Sequence, residues 1–153
     1  MKKFLKILLF IIYISVFLFH CLRARLFGLN MSIYDYFLEF SNLIPFHSII
    51  GTFQSYLSGY LNLDIFIKNI VGNLIYFMPF VYFLYPVVKE KKHIYLVCLS
   101  LIVGFEVCQI LFKSGSFDVD DIILNFLGVV IAKFIYDQFI KWKSSRMKPV
   151  DIQ

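Results

Sequence analysis

Polar side chains interrupt three apolar stretches of this sequence at spacings that place them on common helix faces. The sets are Asn69 with Asn73, Glu106 with Gln109, and Asp118 with Asp121 and Asn125. Residues three, four or seven positions apart lie on one side of a helix. Carboxylates and amides so arranged could bind a polar headgroup or hold a divalent cation through oxygen ligands. Glu106 could also act as a general acid or base.

The elements that position these sets are predicted to be transmembrane helices. Hydrophobic residues make up 60% of the 153 residues and charged residues 16%, against roughly 45–50% and ~25% in soluble domains. Such a composition excludes intrinsic disorder, and a soluble domain of this size could not bury so much apolar surface. Apolar runs near the length needed to span a bilayer predict helices at about 4–22, 69–88, 94–112 and 121–140. We therefore expect an all-α, polytopic membrane bundle in a single domain, 1–153, without strands.

Basic residues predict the orientation of this bundle. Ten lie before the first helix, between helices two and three, or after helix four, and four lie on the opposite side. By the positive-inside rule both termini, including a short basic tail at 142–153, are cytoplasmic. The first helix lacks the small residues of a cleavage site, so we interpret it as uncleaved. The aromatic-rich segment 23–68 then lies outside, and Pro79 interrupts helix two.

The polar sets are predicted to meet at similar depth in the outer leaflet. At 1.5 Å per residue, Asn73 and Asn125 lie about 6–9 Å from the outer helix ends, and Glu106 roughly 9 Å. We expect a polar pocket between helices two, three and four, opening outward. Because a lone carboxylate in lipid is costly, Glu106 should either be protonated or have partners, with Gln109, Asn73, Asn125 and Lys113 as candidates. Gly128 and Ala132 continue the face of helix four and would allow close helix packing.

Each polar set also has a structural interpretation. Asparagine and glutamine side chains often only bond helices together. Asp118 to Asp121 could form an N-cap with first-turn acids, and Asp120 points away from their face. Asp137 and Lys141 have the spacing of a surface ion pair. The three cysteines, Cys21, Cys98 and Cys108, match no disulfide framework or zinc motif, so metal ligands stay unassigned.

Three stretches together resemble the VanZ-like membrane protein family. They are Asn42-Leu43-Ile44-Pro45-Phe46, then Asn69-Ile70-Val71-Gly72-Asn73 with Phe77-Met78-Pro79-Phe80, then Glu106-x-x-Gln109 with the run from Gly115 to Asn125 and Gly128. They follow the family's order and cover residues 42–128. The family positions carried over are Asn69, Asn73, Glu106, Gln109, Asp118, Asp121 and Asn125.

The resemblance implies a small polytopic protein of the Gram-positive type of bacteria. The family's namesake is linked to low-level resistance to teicoplanin, a lipid-tailed glycopeptide. Many relatives place an arginine shortly before the aspartate cluster, where this chain has Lys113, Ser114 and Ser116. Because lysine cannot hold a phosphate bidentately, a phosphate site at that point does not carry over.

Three functions stay open from the sequence. We favour a non-enzymatic envelope factor without a cofactor, whose pocket binds membrane lipid, a cell-wall precursor or a lipid-tailed glycopeptide. The second is a membrane-embedded enzyme acting on a lipid-linked substrate with Glu106 and the Asp118–Asp121 cluster, with or without a divalent cation. The third is an accessory subunit or a small transporter. Nucleic acid is not an expected partner, because the basic residues are few and scattered.

Overall fold

The computed structural model describes residues 2–21 and 30–146, and this part of the chain is mostly helical. The elements are α1 (Lys2–Cys21), α2 (Ile33–Phe40), β1 (Ser41–Asn42), α3 (His47–Leu57), α4 (Leu63–Ile67), α5 (Asn73–Tyr76), α6 (Met78–Leu84), α7 (His93–Leu111), β2 (Phe117–Asp118) and α8 (Val119–Arg146). A π-helical turn, Lys68–Gly72, joins α4 to α5. Residue 22, positions 23–29 of the predicted outer segment and positions 147–153 of the predicted tail lie outside the described residues. The helical class predicted from the sequence is confirmed, with two short strands as the exception.

Two of the described helices are long and apolar enough to cross a membrane. They are Leu63–Leu84, which includes α4 to α6, and α7. The first begins six residues before the predicted start and ends four before the predicted end, just ahead of Tyr85 and Pro86, because proline has no N–H to continue the helical hydrogen bonds. The apolar stretch Phe4–Val16 of α1 is shorter than a span. A crossing by α1 and by α8, and hence the four-span bundle, stays a prediction.

Pro79 interrupts the Leu63–Leu84 helix, as predicted. α5 ends at Tyr76 and α6 begins at Met78, and the N–H of Phe80 bonds to the carbonyl of Phe77, at 3.2 Å, instead of the carbonyl four residues back. The Tyr76 carbonyl therefore lacks that helical donor. The hydroxyl of Tyr13 in α1 donates a hydrogen bond to it, so the break in one helix becomes an attachment point for another.

α8 lies against α5, α6 and α7, so it is the central helix of the described fold. The buried core joins Phe77, between α5 and α6, to side chains from α6, α7 and α8: Phe80, Val81, Ile94, Cys98, Ile102 and Val129. Phe10 and Tyr13 of α1 meet the ring of Phe80 edge-on, with ring centroids 6.2 Å and 5.5 Å away. This aromatic packing holds α1 against the outside of the core.

The second half of α8 carries a polar cluster. Lys133 is 8% exposed, and its ammonium lies 2.7 Å from a carboxylate oxygen of Asp137. The Tyr85 hydroxyl donates to the other oxygen of Asp137 at 2.9 Å. The predicted pairing of Asp137 with Lys141 is therefore wrong as the direct contact. Lys133 lies one turn earlier on the same helix, where the carboxylate is partly shielded from solvent.

Candidate functional site

Two loops far apart in sequence meet through a parallel backbone pairing. Ser41 and Asn42 of β1 pair with Phe117 and Asp118 of β2, respectively. The hydroxyl of Tyr36 in α2, itself buried, donates to the Gly115 carbonyl at 2.9 Å just before β2. The expectation that the chain contains no strands is therefore wrong at this point. Backbone pairing between loops depends on their meeting in space, which no periodicity in either loop reveals.

Asp118 caps α8 and also bonds to the segment after β1. Its Oδ1 accepts from the backbone N–H of Asp120 at 2.8 Å, which is the geometry of an N-cap. Asn42 Nδ2 donates to Oδ1 at 2.9 Å, and the Ser48 hydroxyl donates to Oδ2 at 2.5 Å. The N-cap interpretation is thus correct for Asp118. Both of its oxygens are held by donors of the protein.

Asp120 lines the cavity described below, but both of its carboxylate oxygens bond to backbone. Its side chain is completely buried, and its two oxygens accept from the backbone N–H groups of Phe46 and Ile49, the latter at 3.0 Å. These groups belong to the start of α3, where Phe46 has no capping side chain of its own. α8 therefore provides the cap for α3. The prediction that Asp120 points away from the face of Asp118 and Asp121 agrees with this arrangement.

Glu106 occupies the place of an apolar residue in a buried stripe. Every fourth residue of α7 is buried, at positions Ile94, Cys98, Ile102, Glu106 and Ile110. Glu106 is 3% exposed, and its Oε2 accepts from the backbone N–H of Asp118 at 3.1 Å. The sequence indicated only side chains as partners for Glu106. The backbone donor at Asp118 could not be predicted, because spacing along a helix contains no information about a loop.

Asp121 connects α8 to α5. Asn73 Nδ2 donates to Asp121 Oδ1, which joins two of the polar sets that the sequence placed on different helices. Asn125 Nδ2 donates to the backbone carbonyl of Asp121 at 2.7 Å. Asn125 is 4% exposed, and its Oδ1 has no hydrogen-bond partner in the part of the chain that the structure describes.

A cavity of about 790 Å³ lies where these groups meet. All seven residues of the predicted pocket line it, namely Asn69, Asn73, Glu106, Gln109, Asp118, Asp121 and Asn125. Further lining residues that the sequence analysis did not assign to the pocket include Ser48, Thr52, Lys68, Tyr76, Phe105 and Ser114. Ser48 closely follows the Asn42–Phe46 motif, and Lys68 directly precedes Asn69. Their nearness to these motifs is the sequence feature that could have assigned Ser48 and Lys68 to the cavity. The arrangement can bind a polar group of headgroup size between helices that are otherwise apolar.

Two other residues singled out from the sequence, Lys113 and Gly128, contact backbone rather than the cavity. Lys113 donates to the carbonyl of Met31, ahead of α2. Gly128 is buried where a Cβ would overlap the carbonyl oxygen of Leu74, and Ala132 packs against the buried core. Close approach of α8 to α5 thus coincides with a glycine. The assignment of Gly128 and Ala132 to helix packing stays a prediction for substitution to test.

The acidic residues do not form a preassembled metal site in the described segments. Within residues 2–21 and 30–146, no three His, Cys, Asp or Glu side chains come together so that they could hold a metal ion. Asp118 and Asp120 direct their oxygens to protein donors. The divalent cation considered from the sequence therefore has no ready set of ligands in this part of the chain.

Comparison with known proteins places these observations in a family. No curated protein and no solved structure matches the chain. A family model described as VanZ/LLP1 matches residues 4–141, which is most of the sequence and includes every residue that lines the cavity. The apolar helices and the family together indicate a membrane protein. This chain belongs to the VanZ/LLP1 family.

Proposed function

We propose that this protein is a multi-pass cell-membrane protein, with both termini cytoplasmic, whose outward-facing cavity binds a polar headgroup. Binding there would alter the access of lipid-tailed glycopeptides, or the presentation of a lipid or cell-wall precursor, at the outer leaflet. In this proposal the protein acts by binding and needs no cofactor. The observation that carries it is the polar cavity between two apolar spans.

The location of the cavity along the helices supports the outward orientation. Its lining residues come from the early part of the Leu63–Leu84 helix, the end of α7 and the start of α8, so they share one end of the bundle. The basic residues between α6 and α7 and along the last turns of α8 lie at the opposite end. Since basic loops stay in the cytoplasm, the cavity end would face outward.

The segment between α1 and the first span supports a position at the membrane surface. α3 exposes a continuous apolar face to its surroundings: Phe46, Ile50, Phe53 and Leu57 are each at least half exposed. A helix with this pattern lies at the interface between headgroups and acyl chains. Its N-terminal side also contributes Ser48 and Thr52 to the cavity. A lipid headgroup beside α3 would therefore have a short path into the cavity.

Drug susceptibility in a null host tests the proposed function. Wild type, Glu106→Gln and Asp121→Asn would be expressed at matched abundance, with Glu39→Gln as a control because Glu39 is exposed and outside the cavity. We expect wild type and the control to protect against teicoplanin and a lipopeptide, but not against vancomycin, and both cavity variants to lose that protection. Equal protection by both cavity variants would refute the proposal.

Cysteine labelling tests the orientation independently. In a chain whose own cysteines are replaced, Ser58→Cys should react with an impermeant thiol reagent from outside, and Ser145→Cys only after permeabilisation. Both serines are exposed. The reverse pattern would place the cavity on the cytoplasmic side and contradict the proposed mode of action.

The enzyme alternative would use Glu106 and Asp121 rather than the whole acidic cluster. Asp118 and Asp120 each hold two or more protein donors, so they are less suited to move a proton. Glu106 is the buried carboxylate that favours this alternative. Turnover of a lipid-linked substrate by purified wild type, abolished in Glu106→Gln, would replace the binding proposal. The accessory-subunit alternative would be supported by a stable complex that co-purifies in mild detergent.

A further inference from the structure

The amide orientation of Asn125 defines what its unpartnered atom can accept. Its Nδ2 donates to the carbonyl of Asp121 at 2.7 Å. The reverse orientation would bring two acceptor oxygens together, so the neighbouring carbonyl determines which end of the amide is nitrogen. Oδ1 is consequently an acceptor. It is buried and has no donor among the residues that the structure describes, and an unsatisfied buried acceptor is unfavourable.

Two acidic side chains line the same cavity as Asn125. Asp121 is on the preceding helical turn, and Glu106 is a buried carboxyl group whose Oε2 accepts from the backbone N–H of Asp118. Asn73 uses its amide nitrogen to donate to Asp121. This inner part of the cavity therefore favours a group that donates hydrogen bonds, and it disfavours an anion.

The exposed part of the cavity lining has the opposite character. Lys68 lines the cavity and is exposed, as is the neighbouring Asn69. A lysine ammonium is a suitable partner for a phosphate, though as a point charge rather than a bidentate clamp. The cavity thus has a cationic, donor-bearing edge and an acceptor-rich interior, which is the complement of a phosphodiester joined to a donor-bearing head.

We propose that the cavity selects headgroups by their hydrogen-bond donors: an ammonium or hydroxyl group enters toward Asn125 and Asp121, while the linking phosphate stays near Lys68. This rests on the proposed binding function and specifies its ligand class. Phosphatidylethanolamine and phosphatidylglycerol both carry such donors, on an ammonium and on hydroxyls respectively. Phosphatidylcholine carries the same charge as phosphatidylethanolamine but no N–H group, so it separates hydrogen bonding from charge.

Equilibrium binding of short-chain lipids to the purified full-length protein tests this selection. The probes are short-chain phosphatidylethanolamine, phosphatidylglycerol, phosphatidylcholine and phosphatidic acid, measured by calorimetry in mild detergent. We expect wild type to bind at least one of the first two about tenfold more tightly than phosphatidylcholine, the ratio that one lost hydrogen bond produces. Preference for phosphatidylethanolamine would identify the donor as ammonium, and preference for phosphatidylglycerol as hydroxyl.

Substitutions then assign the selection to Asn125. Asn125→Leu keeps the approximate size but removes the acceptor, so the tenfold ratio should disappear while binding of phosphatidylcholine is unchanged. Asn125→Asp gives up the amide donor to the Asp121 carbonyl but keeps an acceptor, so the ratio should persist. Loss of the ratio in Asn125→Asp would contradict the inference, which keeps a test available if Asn125→Leu does not fold. Gln138→Leu is the control, since Gln138 is an exposed amide of α8 outside the cavity.

Three results would overturn the inference: equal binding of phosphatidylcholine, strongest binding of phosphatidic acid, or no binding of any of these lipids. Persistence of the ratio in Asn125→Leu would also overturn it. These outcomes are distinct from failure of the proposed function. Selective binding without any drug phenotype would refute the role in drug access and support the ligand class. Drug protection without donor selectivity would support the role in drug access and refute the ligand class.

Discussion

Asp120 holds the start of α3 onto α8, and replacing it tests how the cavity wall is fixed. Its two carboxylate oxygens accept from the backbone N–H groups of Phe46 and Ile49, and the side chain has no exposure to solvent. Asp120→Ala leaves both N–H groups without this acceptor. Asp120→Asn keeps one acceptor and places an NH₂ group against the other N–H. Asp120→Ala should therefore destabilise the start of α3 more than Asp120→Asn does.

The expected free-energy change follows from the number of acceptors removed. A buried N–H group without its partner costs about 1–3 kcal/mol. Asp120→Asn should therefore destabilise the start of α3 by about 1–3 kcal/mol, and Asp120→Ala by about 2–6 kcal/mol, since two groups are affected. The loss of a negative charge at a helix N-terminus adds to both values. Since about 1.4 kcal/mol corresponds to a factor of ten, opening of this segment should become at least about fivefold more frequent in Asp120→Asn and at least about 25-fold more frequent in Asp120→Ala.

Amide hydrogen exchange of the purified protein measures this opening directly. Peptides covering residues 46–57 should exchange faster in Asp120→Asn and faster still in Asp120→Ala, while peptides from α7 stay protected. Glu39→Gln is the control, because Glu39 is an exposed carboxylate in the last turn of α2 and its loss should change stability by less than about 0.5 kcal/mol. Unchanged exchange of residues 46–57 in Asp120→Ala would show that the hydrogen bonds to Asp120 do not hold α3.

Two further substitutions test the packing of α8. A methyl group in Gly128→Ala would overlap the Leu74 carbonyl, so the free energy of unfolding in detergent should fall by about 1–3 kcal/mol. Gly104→Ala places its methyl group in open space and should be neutral or stabilising. Equal effects at both glycines would contradict this close approach. Lys133→Met removes the ammonium 2.7 Å from Asp137, and the double-mutant cycle with Asp137→Asn should give a coupling of at least about 0.5 kcal/mol. Additive effects would mean that the pair contributes nothing to stability.

The sequence predicted the part of the site that depends on helical periodicity. Asn73, Glu106 and Asn125 share the cavity because each lies on the inner face of its helix and at the same end of the bundle. The spacing of polar residues predicts the helix face, and the rise per residue predicts the position along the bundle. For the same reason the interruption at Pro79 was predictable, since it follows from the chemistry of one residue.

Contacts between loops could not be predicted in this way. The bonds from Asn42 and Ser48 to Asp118, and the pairing of β1 with β2, join positions whose separation in sequence has no period. The donor to Glu106 is likewise a backbone N–H at Asp118. Asp120 could be placed off the shared face of its helix, but its partners at the start of α3 are visible only in three dimensions.

The pairing of β1 with β2 has a consequence for the order in which the protein matures. Asn42 and its partner Asp118 are 76 residues apart, and ribosomes add about 5–20 residues per second. The segment after α2 therefore waits about 4–15 s, after its own synthesis, for the strand and carboxylates that hold it. During that interval Asn42 can donate only to nearby Ser48, and the hydroxyl of Ser48 and the N–H groups of Phe46 and Ile49 lack their native carboxylate acceptors. This wall of the cavity therefore becomes fixed only when the beginning of the last helix has been made.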